Sequence, residues 1–143
     1  MFPGKTRAQL TPEQISSAEK ETRLAGQLRR IETAAKPQAL FTLNVKTGEI
    51  KTFDPSYAWL NHLQFSPTNP NLLMFCHEGT WHEVDRVWVV DVSKNDPPRL
   101  MLKRTMNMEI AGHEWWGRDG KMVWYDLQMP RSEYFFIGGT NVA

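Results

Sequence analysis

The sequence predicts an all-β fold, a partial β-propeller of about two to two and a half four-stranded blades with an N-terminal α-helical excursion. Three observations predict it. The hydrophobic period changes from helical to alternating at Pro37. Short strand-like runs separated by turn residues fill the remainder of the chain. Those runs also repeat. Asn61-His62-Leu63-Gln64-Phe65 matches Gly112-His113-Glu114-Trp115-Trp116 at a shift of 51 residues, and Leu73-Met74-Phe75-Cys76 matches Met122-Val123-Trp124-Tyr125 at 49. Phe41-Thr42-Leu43-Asn44, Trp88-Val89-Val90-Asp91 and Phe135-Phe136-Ile137-Gly138 recur at 47. Three sets of positions repeating together at this period are what stacked blades produce.

The elements follow in order. Thr11-Pro12-Glu13-Gln14 combines an N-cap hydroxyl, a proline at the first helical position and a glutamine placed to close a capping box. Ile15, Ala18, Leu24, Leu28 and Ile31 then make a thin apolar stripe, which must lie against something to fold. The helix should stop near Ala34-Ala35, because Pro37 disfavours helical geometry at Lys36. Residues 39–45 and 49–53 read as strands around the turn Lys46-Thr47-Gly48. Further strands are expected at 72–76, 86–92, 100–104, 122–126 and 134–138, with Asp119-Gly120 as a hairpin turn. The chain divides accordingly into a helical segment, 1–36, and incomplete propeller blades, 37–143.

A propeller closes with at least four blades, whereas this chain holds two full repeats and part of a third. Blades stacked only on each other leave two wide apolar faces open to water. The sequence therefore reads as a truncated piece whose partners are the missing blades of the same propeller. The alternative is a small domain whose copies assemble into a ring.

Composition narrows the function classes. Hydrophobic content of 41% and charged content of 23% fit a folded chain. A net charge of +1 gives no case for nucleic acid. No apolar run reaches the length of about 18 residues that a membrane span requires. The start, MFPGKTRAQL, lacks the apolar core of a secretion signal. The lone cysteine, Cys76, excludes an intramolecular disulfide and fits a reducing, cytoplasmic setting.

Four histidines are the first candidates for chemistry: His62, His77, His82 and His113. His62 and His113 hold the same place in successive repeats, near the start of a strand, where a propeller points side chains at its axis. Imidazole there suits proton transfer. Cys76-His77-Glu78-Gly79 and Trp81-His82-Glu83 follow the next strand. Cys76 and His77 are adjacent and face opposite sides, so no metal site is expected among these residues. His77, Glu78 and His82 are candidates to contact a polar substrate, and Arg86 to grip a carboxylate, unless it pairs with Asp85 or Glu83 on the surface. Most of the six tryptophans, all after residue 58, belong to blade cores.

With these residues in view, the sequence resembles the oligogalacturonate lyase family over roughly residues 36–137. The carrying segments are His62-Leu63-Gln64-Phe65-Ser66-Pro67, Leu73-Met74-Phe75-Cys76-His77-Glu78-Gly79, Val84-Asp85-Arg86-Val87-Trp88, and Gly112-His113-Glu114-Trp115-Trp116 with Asp119-Gly120. The resemblance implies a seven-bladed parent that cleaves short galacturonate oligomers by β-elimination. A base takes the proton alpha to the uronate carboxylate, and Mn2+ offsets the carboxylate charge. It also implies His113 as the base, Arg86 as the uronate-binding arginine, and His62, His77 and Glu78 lining the same site. The family's metal ligands, a histidine in the next blade and a Gln-x-x-His-x-His motif, are not in this chain. Gly117-Arg118 and Thr80 depart from the family pattern as surface changes. A piece of this kind is expected to be inactive alone. The alternative from another class is a non-catalytic propeller scaffold that binds partners.

Overall fold

A computed structural model describes residues 11–143, apart from the side chains of Ser17, Ala18, Glu21, Asp54 and Pro55. The leaderless start expected at residues 1–10 and the place of Ala18 in the helical stripe lie outside the described residues. Helix α1 runs Pro12–Ala34. Its start is the expected capping box: Gln14 N–H donates to Thr11 Oγ1 at 3.2 Å, and Thr11 N–H donates to Gln14 Oε1 at 3.0 Å. Caps of this kind stabilise a helix by about 1 kcal/mol. The helix stops at Ala35, which turns left-handed and donates its N–H to Glu32 O.

The stripe of α1 does find a surface. Leu28 is buried and, with Leu24, faces Thr80, Trp81 and His82. Glu32 accepts from the Thr80 N–H at 2.6 Å and lies 3.3 Å from the Thr80 hydroxyl, and Arg29 pairs with Glu83 at 2.8 Å. A Cβ on Gly79 would collide with Glu32, so the glycine lets the helix approach. Thr80 is therefore no surface change: it is buried, and a proline there would lack the N–H that Glu32 holds.

The remainder is β-structure in three sheets. Strands β1 (Gln38–Leu43) and β2 (Ile50–Ser56) form an antiparallel hairpin. Strands β3 (Trp59–Phe65), β4 (Leu72–Glu78), β5 (Val87–Asp91) and β6 (Arg99–Leu100) form a four-stranded sheet in sequence order. Strands β7 (Ile110–Trp116), β8 (Met122–Gln128) and β9 (Phe135–Asn141) form a three-stranded one. Serial antiparallel sheets of this kind are propeller blades, one whole and two partial. The strand expected at 100–104 is cut to two residues. Asp85 captures the Arg104 N–H at 3.1 Å, and the Arg104 guanidinium binds the carbonyls of His82 and Glu83, which pulls the chain off the sheet edge.

Cores lie between sheets. Met74, Val87 and Val89 of the four-stranded sheet, with Met101 just past β6, meet Ala111, Trp116, Val123 and Tyr125 of the next. Leu40 of the hairpin meets Leu73, Phe75 and Val90. β4 thus buries both faces, as expected of a strand with a sheet on either side. The outward faces stay open: Phe41, Leu43 and Ile50 at one end, and Phe135, Phe136 and Ile137 at the other, are exposed.

Candidate functional site

The repeat seen in the sequence is a repeat of backbone irregularity. Register shifts occur between Asn61 and Gln64 in β3 and between Gly112 and Trp115 in β7. Each shift is a bulge, and each holds a histidine with left-handed backbone: His62 at φ 52° and His113 at φ 46°. Such geometry costs a residue with a side chain roughly 1–2 kcal/mol. Its recurrence at twin positions is the kind of retained strain that accompanies function.

Around His62 the charges are dense and paired. Its Nδ1 lies 2.7 Å from Glu114 Oε1, across the gap between blades, and its Nε2 lies 3.6 Å from Glu78 Oε1. Arg86 grips Glu78 with both terminal nitrogens, at 2.8 and 3.1 Å. Trp81 Nε1 donates to the same carboxylate at 3.2 Å. Burial pushes the Glu78 carboxyl up, but Arg86, with Trp81 and His62, outweighs it and holds the group below the ordinary range. Burial likewise lowers the Arg86 value, and its bonds to Glu78 more than restore it. A surface pair for Arg86 is thereby replaced by a buried one, because Glu83 is held by Arg29 and Asp85 by Arg104. Arg86 Nε is buried with no hydrogen-bond partner among the described residues.

His113 is the open twin. Its side chain is 88% exposed, against 41% for His62, and among the described residues its close charge is Asp126 Oδ1, 3.2 Å from Nδ1. A cleft of about 570 Å³ joins the two histidines. His62, Glu78, Trp81, Arg86, His113 and Asp126 line it, with Lys20 and Leu24 of α1 and Arg131 closing the rim. Sequence reading thus brings four of its six candidates to one place. The other two lie elsewhere. His77 points to the opposite face of β4, stacked on Trp88 at 4.8 Å and tilted against Phe75 at 5.6 Å. His82 lines a small recess beneath α1, with Nε2 3.6 Å from Glu83.

Sequence reading missed Glu114, Asp126, Lys20 and Arg131 as cleft or cluster residues. Glu114 sits inside the quoted Gly-His-Glu motif, and Asp126 ends a recognised strand one register pair from His113. Both were readable from the hairpin once the bulge is known. Lys20 and Arg131 carry no sequence signal, since only the docking of α1 and the path of the β8–β9 connection bring them in.

Among the described residues, one group of donors could hold a cation: His62, Cys76 and Glu78, whose ligand atoms lie within 4.8 Å of one another. It does not fit manganese. Both Glu78 oxygens are already occupied by Arg86. Burial pushes the Cys76 thiol far up, so it stays protonated, and sulfur is a soft donor for a cation that prefers oxygen and nitrogen.

The family model described as oligogalacturonate lyase matches residues 30–142. The chain is 30% identical over 99 residues to the oligogalacturonate lyase of Dickeya dadantii, covering 68% of this chain and 25% of that protein. It is 31% identical over 87 residues to the oligogalacturonide lyase of Pectobacterium atrosepticum, covering 60% and 22%. Among solved structures, an oligogalacturonate lyase in complex with manganese superposes with a TM-score of 0.64 at 28% identity, covering 73% of this chain and 27% of that one. The oligogalacturonate lyase of Vibrio parahaemolyticus gives the same values. The chain spans about a quarter of the length of the curated relatives it matches.

Proposed function

We propose, since this chain belongs to the oligogalacturonate lyase family, that its cleft is part of the site in which a complete propeller cleaves galacturonate oligomers by β-elimination. The observation that carries the proposal is the joint placement of an open imidazole, His113, and a buried, oriented guanidinium, Arg86, on one cleft. His113 acts as the base. Its Nε2 takes the proton from the carbon alpha to the uronate carboxylate. The C–H electrons become the ring double bond as the glycosidic C–O bond on the next carbon breaks, and the departing oxygen is protonated from solvent.

Arg86 supports the anion that develops during this step. Two of its five donors are spent on Glu78, which fixes the fork and leaves further N–H groups of the terminal nitrogens for a carboxylate. Manganese, present in one structural neighbour, is assigned in this proposal to blades other than those described. The setting is pectin breakdown in the cytoplasm, which the buried free thiol of Cys76 supports.

The test uses the complete propeller with manganese and galacturonate oligomers, following the ultraviolet absorbance of the unsaturated product. His113→Ala should lose activity by roughly 10²–10⁴-fold, the scale of a general base, while its melting temperature stays close to that of the parent. Full activity in that variant would remove the base assignment. Equal binding of neutral and acidic oligomers would favour the non-catalytic scaffold instead.

A further inference from the structure

The two histidine-bearing blades differ at the register pair that precedes the bulge. In the four-stranded sheet Asn61 faces Cys76; in the next sheet the equivalent pair is Gly112 facing Asp126. The two changes belong together. An ideal Cβ on residue 112 would stand 2.9 Å from Asp126 Oδ1, so the glycine makes the room in which that oxygen sits. From there Oδ1 reaches His113 Nδ1 at 3.2 Å. Oδ1 is buried and has no aligned hydrogen bond among the described residues, which leaves the imidazole as its ion-pair partner. A buried acceptor in this state is costly and calls for a reason. Bonds of catalytic bases are commonly loose before substrate arrives.

We infer that Asp126 is the positioning residue of His113, with Gly112 providing the space its carboxylate occupies. The inference rests on the reading of His113 as base. A carboxylate beside Nδ1 selects the tautomer protonated there, which leaves the lone pair on Nε2 facing the cleft. Once Nε2 has taken the proton from the substrate, both ring nitrogens carry hydrogen, and Asp126 offsets the imidazolium charge. The four-stranded blade has the twin histidine but neither the glycine nor the aspartate, so of the two described histidine-bearing blades only the second carries this arrangement. The other charged groups on the cleft are Lys20 of α1, His62 of β3, Glu78 of β4, and Arg86 and Arg131 in loops. All of these stay in place when Asp126 is changed.

The experiment compares Asp126→Asn, Gly112→Ala and His113→Ala in the complete propeller. It records kcat/KM and the ring tautomer of residue 113 by nitrogen-15 NMR. Asp126→Asn should lower kcat/KM by roughly 10²-fold or more. The Nδ1–H tautomer should give way to a mixture. Gly112→Ala should act in the same direction more weakly, and it carries the test if Asp126→Asn fails to fold. An unchanged tautomer overturns the inference, whatever the rate does, since a merely structural aspartate changes rate alone. Retained activity in His113→Ala would instead sink the base reading, and the tautomer would then judge the Asp126–His113 pairing by itself.

Discussion

His62 and His113 occupy the same bulge, one blade apart, with nearly the same left-handed backbone. The backbone cost is shared; the surroundings are not. His62 is clamped between Glu114 of the next blade and Glu78 of its own, inside a cluster that Arg86 completes. His113 projects into the cleft with one aspartate at its back. The difference shows that a repeated position can be divided between two tasks. One copy ties blades together, and the other is left free to meet a ligand. The neighbour decides which: residue 78 is glutamate in the first blade, and its register equivalent in the second is the uncharged Gln128.

If that division is right, the largest effect on stability comes from breaking the first blade's cluster. Arg86→Met leaves Glu78 buried with its main counter-charge gone and should cost about 3–5 kcal/mol, read as a large fall in melting temperature. The same cluster sets the acid response. Glu78 is held below its ordinary value of 4.5, so its contribution is complete above that value and is lost as pH falls through the folded-state one. Melting temperature followed from about pH 7 to pH 3 should fall in the parent as protons enter this site, and Arg86→Met should flatten that limb.

Paired alanine substitutions sharpen the contrast. His62→Ala strips the partner from Glu114, whose side chain is fully buried, and should cost roughly 1–3 kcal/mol. His113→Ala should stay within about 0.5 kcal/mol of the parent in stability, since its ring is mostly in water, while abolishing turnover. Equal stability losses at both positions would refute the division of labour.

What the sequence disclosed follows the same logic. The helix cap at Thr11-Gln14, the change of period at Pro37 and the repeat that pairs His62 with His113 are local or periodic signals, and the structure contains all three. The shortened β6 was hidden, because Asp85 and Arg104 meet only after the sheet has formed. The buried role of Thr80 was hidden as well, since Glu32 lies 48 residues away. His77 and His82 looked equivalent to the other histidines because the sequence gives proximity along the chain. The pleat turns His77 to the far face of β4, and the docking of α1 closes over His82. Glu78 and Arg86 were recognised as polar candidates, but their pairing with each other, across eight residues of loop, was not.

The smallest expected effect is also the most discriminating. Glycine accepts positive φ without the penalty that a side chain carries there, so a histidine held at φ near 50° is a stability debt. His113→Gly removes that debt and gives up the one contact that its mostly exposed ring makes with Asp126. It should raise the melting temperature slightly, by the equivalent of roughly 0.5–1 kcal/mol, and leave the protein inactive. His62→Gly removes the same strain and also unpairs the buried Glu114, so its net change should be a loss. Opposite signs from one substitution at twin positions would show that the strain at 113 is kept for chemistry and the strain at 62 for assembly. A loss of stability at both would mean that the His113–Asp126 contact is itself structural, and the division between the blades would fall.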